Sequence, residues 1–280
     1  MELCDAAAKP SFYPIGPRGS CFAPASRLRR IYLQAIRFMQ TVAVLILPGT
    51  WSSLADFKAA IKRHTPNYRF ANGVLVDQRT RDGVHVHFQM GHNPSLVDDF
   101  RCGGTYWCDT DNMRAITRHT SHVLLADAGG SRERMAHVMG AASALVRAGA
   151  LGVYVENAGV AHPAKNWLAL ADDGMDGVFR AFVATIDAGG DGAHCSGMQN
   201  FGLKDVVVPA NVPDCTAVAG AFAWHLVVKE AKVTAGQTMM VGTKSSSSHV
   251  RIVASAAVPA GAMFHNRFGA WQLLAATRVH

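Results

Sequence analysis

The 280-residue chain has no apolar run long enough to cross a bilayer, which takes about 18–20 residues. No transmembrane helix is therefore expected. It has no Cys-x-x-Cys pair, and its six cysteines (Cys4, Cys21, Cys102, Cys108, Cys195 and Cys215) are too sparse for a disulfide scaffold. They read as reduced thiols of a cytoplasmic protein. It has no long basic run. The net charge of +7 is concentrated in residues 1–38, where six basic residues face two acidic ones. The remaining 21 basic and 18 acidic residues leave only +3. That is no electrostatic footprint for nucleic acid. Gly-x-Ser-x-Gly, the Walker lysine and the full dinucleotide fingerprint are all missing, so no cofactor is expected. "AGQTMMVGTKS" only approximates a P-loop, since a threonine separates Gly242 from Lys244.

What is present is a globular composition, 49% hydrophobic and 17% charged. That is enough apolar material for a large core. Residues 1–38 lack a clear period and are rich in Pro, Gly, Ala and Arg. A targeting segment is one reading, with "RLRR" before "IYLQAI". The favoured one is a disordered or spurious N-terminal extension, because "MQTVAVLILPG" enters a strand directly at Met39.

From there "VAVLIL" (residues 42–47) is a continuous apolar run suited to a buried strand. "SSLADFKAAIKRH" places Leu54, Phe57 and Ile61 on one helical face, with capping-box spacing from Ser53 to Asp56. "NGVLVD" reads as a strand. "VHVHFQM" alternates with period two, so His85 and His87 share one face. "HVLLAD" is the next strand. "GGSRERMAHVMGAASALVRAG" is the clearest helix, with Ser131 to cap it and Gly149 to end it. "LGVYV" is again a strand. Helices are expected around 163–171 and 177–186, a strand pair over "SGMQNF" and "KDVVVPA", a helix capped by Asp214, and a hairpin across "TKSSSS". The order predicts an α+β fold: a mixed sheet with packed helices, ferredoxin-like β-α-β-β-α-β over 39–173, and a smaller α+β continuation over 174–280.

Several residue groups are candidates for chemistry. Glu156 and His162 sit where a strand ends, a favoured place for acid–base groups. The plainer reading of "ENAGVAHP" is a strand-to-helix turn. His119 and His122 form a His-x-x-His pair before a strand. His85, His87 and His119 make an alternative metal set if their strands lie together. "DAGGSRE" places two glycines before a helix, where backbone N–H groups can hold an anion. Its plainer reading is a tight turn plus cap. Cys195 follows His194, but neighbours on an extended chain point apart. Each cysteine reads more simply as a small buried hydrophobe.

The succession "VHVHFQM", "GHNPSLVDDF", "TYWCDTDNMRAITRHTSH", "LGVYVENAGVAHPAKNWLALADD" and "SGMQNFGLKDVVV" resembles the bacterial DUF4261 domain family, of unknown function. The likeness covers roughly residues 39–255. A single proline in "GHNPSLVDDF" and the N-terminal extension depart from the family pattern. The resemblance implies a domain and supplies no catalytic residue. It draws attention to Trp107, His119 and His122. The functional expectation is a binding or interaction module, with a protein partner or a homo-oligomer and no nucleic acid or membrane. The alternative is a metal-dependent, hydrolase-like enzyme using a histidine cluster.

Overall fold

In the computed structural model, which describes residues 43–104, 107–243, 246–255 and 265–276, the first apolar run forms β1 (Ala43–Gly49) at the heart of a seven-stranded sheet. Residues 1–38, Tyr106 and Lys244 lie outside the described residues. α1 (Leu54–His64) follows, with the Ser53 hydroxyl accepting from the Asp56 N–H at 3.1 Å. The expected capping box closes one residue early: the Asp56 carboxylate accepts from the Ser52 N–H at 2.9 Å. Then come β2 (Tyr68–Ala71), β3 (Val74–Asp77) and β4 (Gly83–Met90). Two short helices, α2 (Pro94–Cys102) and α3 (Asp111–Thr117), lead to β5 (Ser121–Asp127). α4 (Arg132–Arg147) is the long helix, capped by Ser131 as expected. β6 (Gly152–Val155) and β7 (Val160–Pro163) complete the sheet. Its order is β2-β3-β4-β5-β1-β6-β7, and every neighbouring pair is antiparallel.

The second half begins with α5 (Ala164–Ala171) and α6 (Gly174–Phe182). A second sheet is built from β8 (Ala184–Asp187), β9 (Ala193–Ser196), β10 (Asp205–Val208), β11 (Thr238–Thr243), β12 (Ser246–Ser255) and β13 (Ala270–Ala275). Its order is β11-β12-β13-β10-β9-β8, mixed through one parallel pair, β10 with β13. α7 (Cys215–Val228) packs on it. The fold is thus α+β, with seven α-helices and two sheets among the described residues.

Several local expectations are corrected. The helix expected through residue 186 stops at Phe182, and Ala184–Asp187 is a strand. "SGMQNF" holds the end of β9 and a single 3-10 turn over Met198–Phe201. Gly197 and Gly202 flank that turn in left-handed conformation, a break that a continuing strand does not tolerate. Asp214 stands at the N-cap of α7 but makes no side-chain cap bond. "ENAG" is a β-hairpin turn rather than a strand-to-helix turn, because "VAHP" pairs back onto β6. Pro163 ends β7 and precedes the first helical residue.

Two apolar layers hold these elements. One cluster joins Leu45, Leu47, Val84, Val86, Val123 and Leu125 from the inner face of the first sheet to Phe57, Met135, Val138, Trp167, Phe182, Phe222, Val206 and Ile252. Residues on both sides of 173 share this one core. On the outer face, Ile46, Leu124 and Ala126 pack under Leu96, Val97, Phe100, Trp107, Met113 and Ile116. Trp107 is fully buried, edge-on to Phe100 at 5.0 Å, and its Nε1–H donates to the Ala161 carbonyl.

Candidate functional site

α2 and α3 cover the outer face of the first sheet over β5, β1 and part of β6. Beyond them no described element covers the face. Strand alternation puts His85 and His87 there, in register with Ala126 and Leu124, and both are exposed. Val74 lies opposite His85, and Arg69 opposite Val76. Val74 and Val76 are only half-buried, and Arg69 is exposed. The open surface therefore combines two imidazoles, a guanidinium and two aliphatic side chains on three strands.

His119 and His122 stand at the border between this surface and the covered part. His119 is 1% exposed. Its Nδ1 lies 2.7 Å from the Ile116 carbonyl, and its Nε2 receives the Asn93 N–H at 2.9 Å. A carbonyl only accepts and a backbone N–H only donates, so His119 is fixed as the neutral Nδ1–H tautomer. Burial pushes its pKa down, and His92 adds to the shift. The His92 ring lies 4.5 Å from the His119 ring, and the His92 Nδ1–H donates to the His119 carbonyl. His122 follows at 6.2 Å. Its Nε2 bonds to Gln89 Oε1 at 2.8 Å, while its buried Nδ1 makes no well-formed hydrogen bond among the described residues. Burial, then the charge of a protonated His119, lowers the His122 pKa; the Gly91 backbone opposes the shift.

The alternative metal set, His85, His87 and His119, is not grouped among the described residues. Both ring nitrogens of His119 are occupied, leaving no lone pair for a cation. Among the described residues no three His, Cys, Asp or Glu side chains are grouped to hold a metal ion.

Glu156 and His162 separate. His162 lies on β7 inside the core, 7% exposed, and its Nε2–H donates to the Ala181 carbonyl at 3.0 Å. Trp167 packs beside it at 5.7 Å. Burial drives its pKa down to about 4, so it is a neutral core imidazole. Glu156 lies past the end of β6, its N–H bonded to the Val44 carbonyl. It raises the pKa of Asp99 on α2, which burial above all lifts to about 6. Asp99 was not singled out in the sequence, since an Asp-Asp pair on a short helix reads as a solvated face.

The glycine turn at "DAGGSRE" holds an anion, but it is the chain's own. The Asp127 carboxylate accepts the Gly129 N–H at 3.0 Å and the Arg134 fork through Nε, at 2.7 Å, and Nη2. Gly130 N–H is bound to the Asn200 carbonyl. Both glycine N–H groups that could face an anion are thus already bonded within the chain.

The thiols differ from one another. Cys195 is buried beside Thr185 at 3.3 Å, and burial pushes its thiol up to about 12, the opposite of nucleophile activation. His194 points the other way, 3.8 Å from the Asp205 carboxylate. Cys102 is half-buried and Cys108 exposed, so neither is the buried hydrophobe expected.

No family model, curated protein or solved structure matches the chain.

Proposed function

We propose that this protein is a binding module that takes a protein partner on the open outer face of β2, β3 and β4. One observation carries the reading: a packed antiparallel sheet leaves His85, His87, Val74, Val76 and Arg69 together on a surface that no described element covers. Half-exposed aliphatic side chains among imidazole and guanidinium groups suit a partner with apolar and acidic side chains. The groups with chemical potential elsewhere are committed to the fold, as His119, His162, Asp127 and Cys195 illustrate.

We also read the centre of the first sheet as ferredoxin-like. The strand order β4-β5-β1-β6 supports this, with α1 and α4 contributing Phe57 and Met135 to the same inner cluster. Membership of the DUF4261 family rests on the ordered motifs and is proposed on that basis alone.

The test is affinity capture with the full chain against a variant carrying His85→Glu and His87→Glu. The reading expects a specific partner whose recovery falls at least tenfold with the variant, at unchanged circular dichroism. Equal recovery by both proteins would contradict it. If the bound species is a second copy of the chain, sedimentation velocity gives a dimer that the same variant dissociates.

A further inference from the structure

We propose that His119, packed beside His92, is an acid-sensitive latch holding the N-terminal turn of α2 against the first sheet.

Three successive residues before α2 are tied to two residues before β5. Gly91 N–H donates to the Thr120 carbonyl at 2.8 Å. His92 Nδ1–H donates to the His119 carbonyl at 3.2 Å. Asn93 N–H donates to His119 Nε2 at 2.9 Å. Only the third bond requires a neutral imidazole, because a protonated ring has two donors and no acceptor. Asn93 is also the N-cap of α2, and its own cap bond to the Leu96 N–H is long, at 3.4 Å. Protonation of His119 therefore breaks the clamp on the very residue that starts the helix. It also sets one N–H against another at short range.

Among the described residues, the groups around His119 add no compensating anion at this end. His92 faces His119 from the β4–α2 loop, and His122 from β5. His87 acts on His122 from β4, and Gln89 is neutral. All of these charge positively or stay neutral in acid. The opposite end of α2 responds in the other sense. Asp99, held up to about 6 by burial and by Glu156, loses its charge in acid and relieves that repulsion. Asp98 is paired with Arg101 at 2.6 Å. The loosening is thus confined to the first turn of α2, next to the open sheet face.

The sign follows from linkage. The folded-state pKa of His119 is depressed below 6.5. Opening of the turn restores the ordinary value. The bond's contribution is complete above pH 6.5 and is lost as pH falls toward the folded pKa, so the opening constant rises by up to about tenfold per pH unit in that window.

Amide hydrogen exchange on the full chain at pH 7.5 and pH 5.0, corrected for intrinsic rates, reads this directly. The expected result is a rise of about threefold or more in the opening constant at Leu96 and Val97, with less than twofold change in residues 218–227 of α7. His119→Gln keeps an acceptor but does not titrate, and should abolish the rise. A flat wild-type profile, or the same rise in H119Q, would overturn the latch. If H119Q does not fold, histidine nitrogen NMR on the wild type decides. An Nδ1–H tautomer whose protonation midpoint coincides with the opening is expected, and an Nε2–H tautomer refutes it.

Discussion

Asn157 Nδ2 donates to Asn200 Oδ1 at 3.0 Å, and this side-chain pair joins the hairpin turn of the first sheet to the 3-10 turn of the second. The Asn200 amide also donates to the Phe182 carbonyl at 3.2 Å, and the residue is fully buried. Close by, Ser196 Oγ–H donates to the Ala158 carbonyl at 3.1 Å. A Cβ at Gly197 would run into the Phe182 carbonyl and the Ala158 side chain. The "ENAG" turn is therefore one contact point of the two sheets, with its asparagine bonded across to the second.

Removing that tie should weaken the whole fold. Asn200→Ala leaves the Phe182 carbonyl and the Asn157 amide without their partner, at a cost of about 2–4 kcal/mol. Urea unfolding should show one lowered midpoint and an unchanged slope. Two separated transitions in the wild type would instead mean that the sheets unfold independently.

Asp127→Asn should be comparably damaging. Asp127 is 2% exposed, and the Arg134 fork rests on it. Breaking a pair of this kind by removing one partner typically costs about 3–5 kcal/mol. Arg134 is 29% exposed, so the lower end applies. A denaturation midpoint unchanged from wild type would show that water or Asp82, 3.7 Å from Arg134, replaces the lost carboxylate.

Acid should destabilise the core through His162. Its pKa falls from 6.5 to about 4 on folding. The contribution to stability is complete above pH 6.5 and disappears as pH drops toward 4, a loss on the order of 3 kcal/mol. His162→Leu should be less stable at pH 7, because the Ala181 carbonyl loses its donor. Its stability should fall less between pH 6.5 and 4.5 than that of the wild type. Parallel stability–pH curves for the two proteins would remove His162 as the cause.

Trp107→Ala should open a large hole under α2 and α3. The ring is fully buried, edge-on to Phe100. Truncations of this size cost about 3–5 kcal/mol. Thermal denaturation gives the result. A shift in Tm of only a degree or two would mean that the outer layer repacks around the cavity.

The extent to which the sequence announced this structure varies by element. β1 was legible as an unbroken apolar run, β4 by its period of two, and α1 and α4 by apolar spacing and Ser caps. β2 (YRFA), β7 (VAHP) and β8 (ATID) are four-residue strands without the β-branched apolar run that marks the equally short β3 (VLVD) and β6 (GVYV). β13 carries an unpatterned "AWQLLA", and its position is set by parallel pairing with β10 more than sixty residues away. At the candidate site, the strand pattern correctly put His85 and His87 on one face. His92 gave no signal, since a lone histidine before Asn-Pro has no spacing to mark it. Asp99 acquires its raised pKa only from burial and from Glu156, 57 positions further along the chain. Asn157 and Asn200 are 43 positions apart, and no local rule pairs them.

The central claim is that the exposed surface around His85 and His87 is where a partner binds. Comparative affinity capture with wild-type protein and the H85E/H87E variant addresses it, because both side chains are exposed and circular dichroism and thermal denaturation check that the variant still folds. A partner, or a second copy of the chain, should be recovered at least tenfold less by the variant at equal thermal stability. Undiminished recovery by the variant would contradict it.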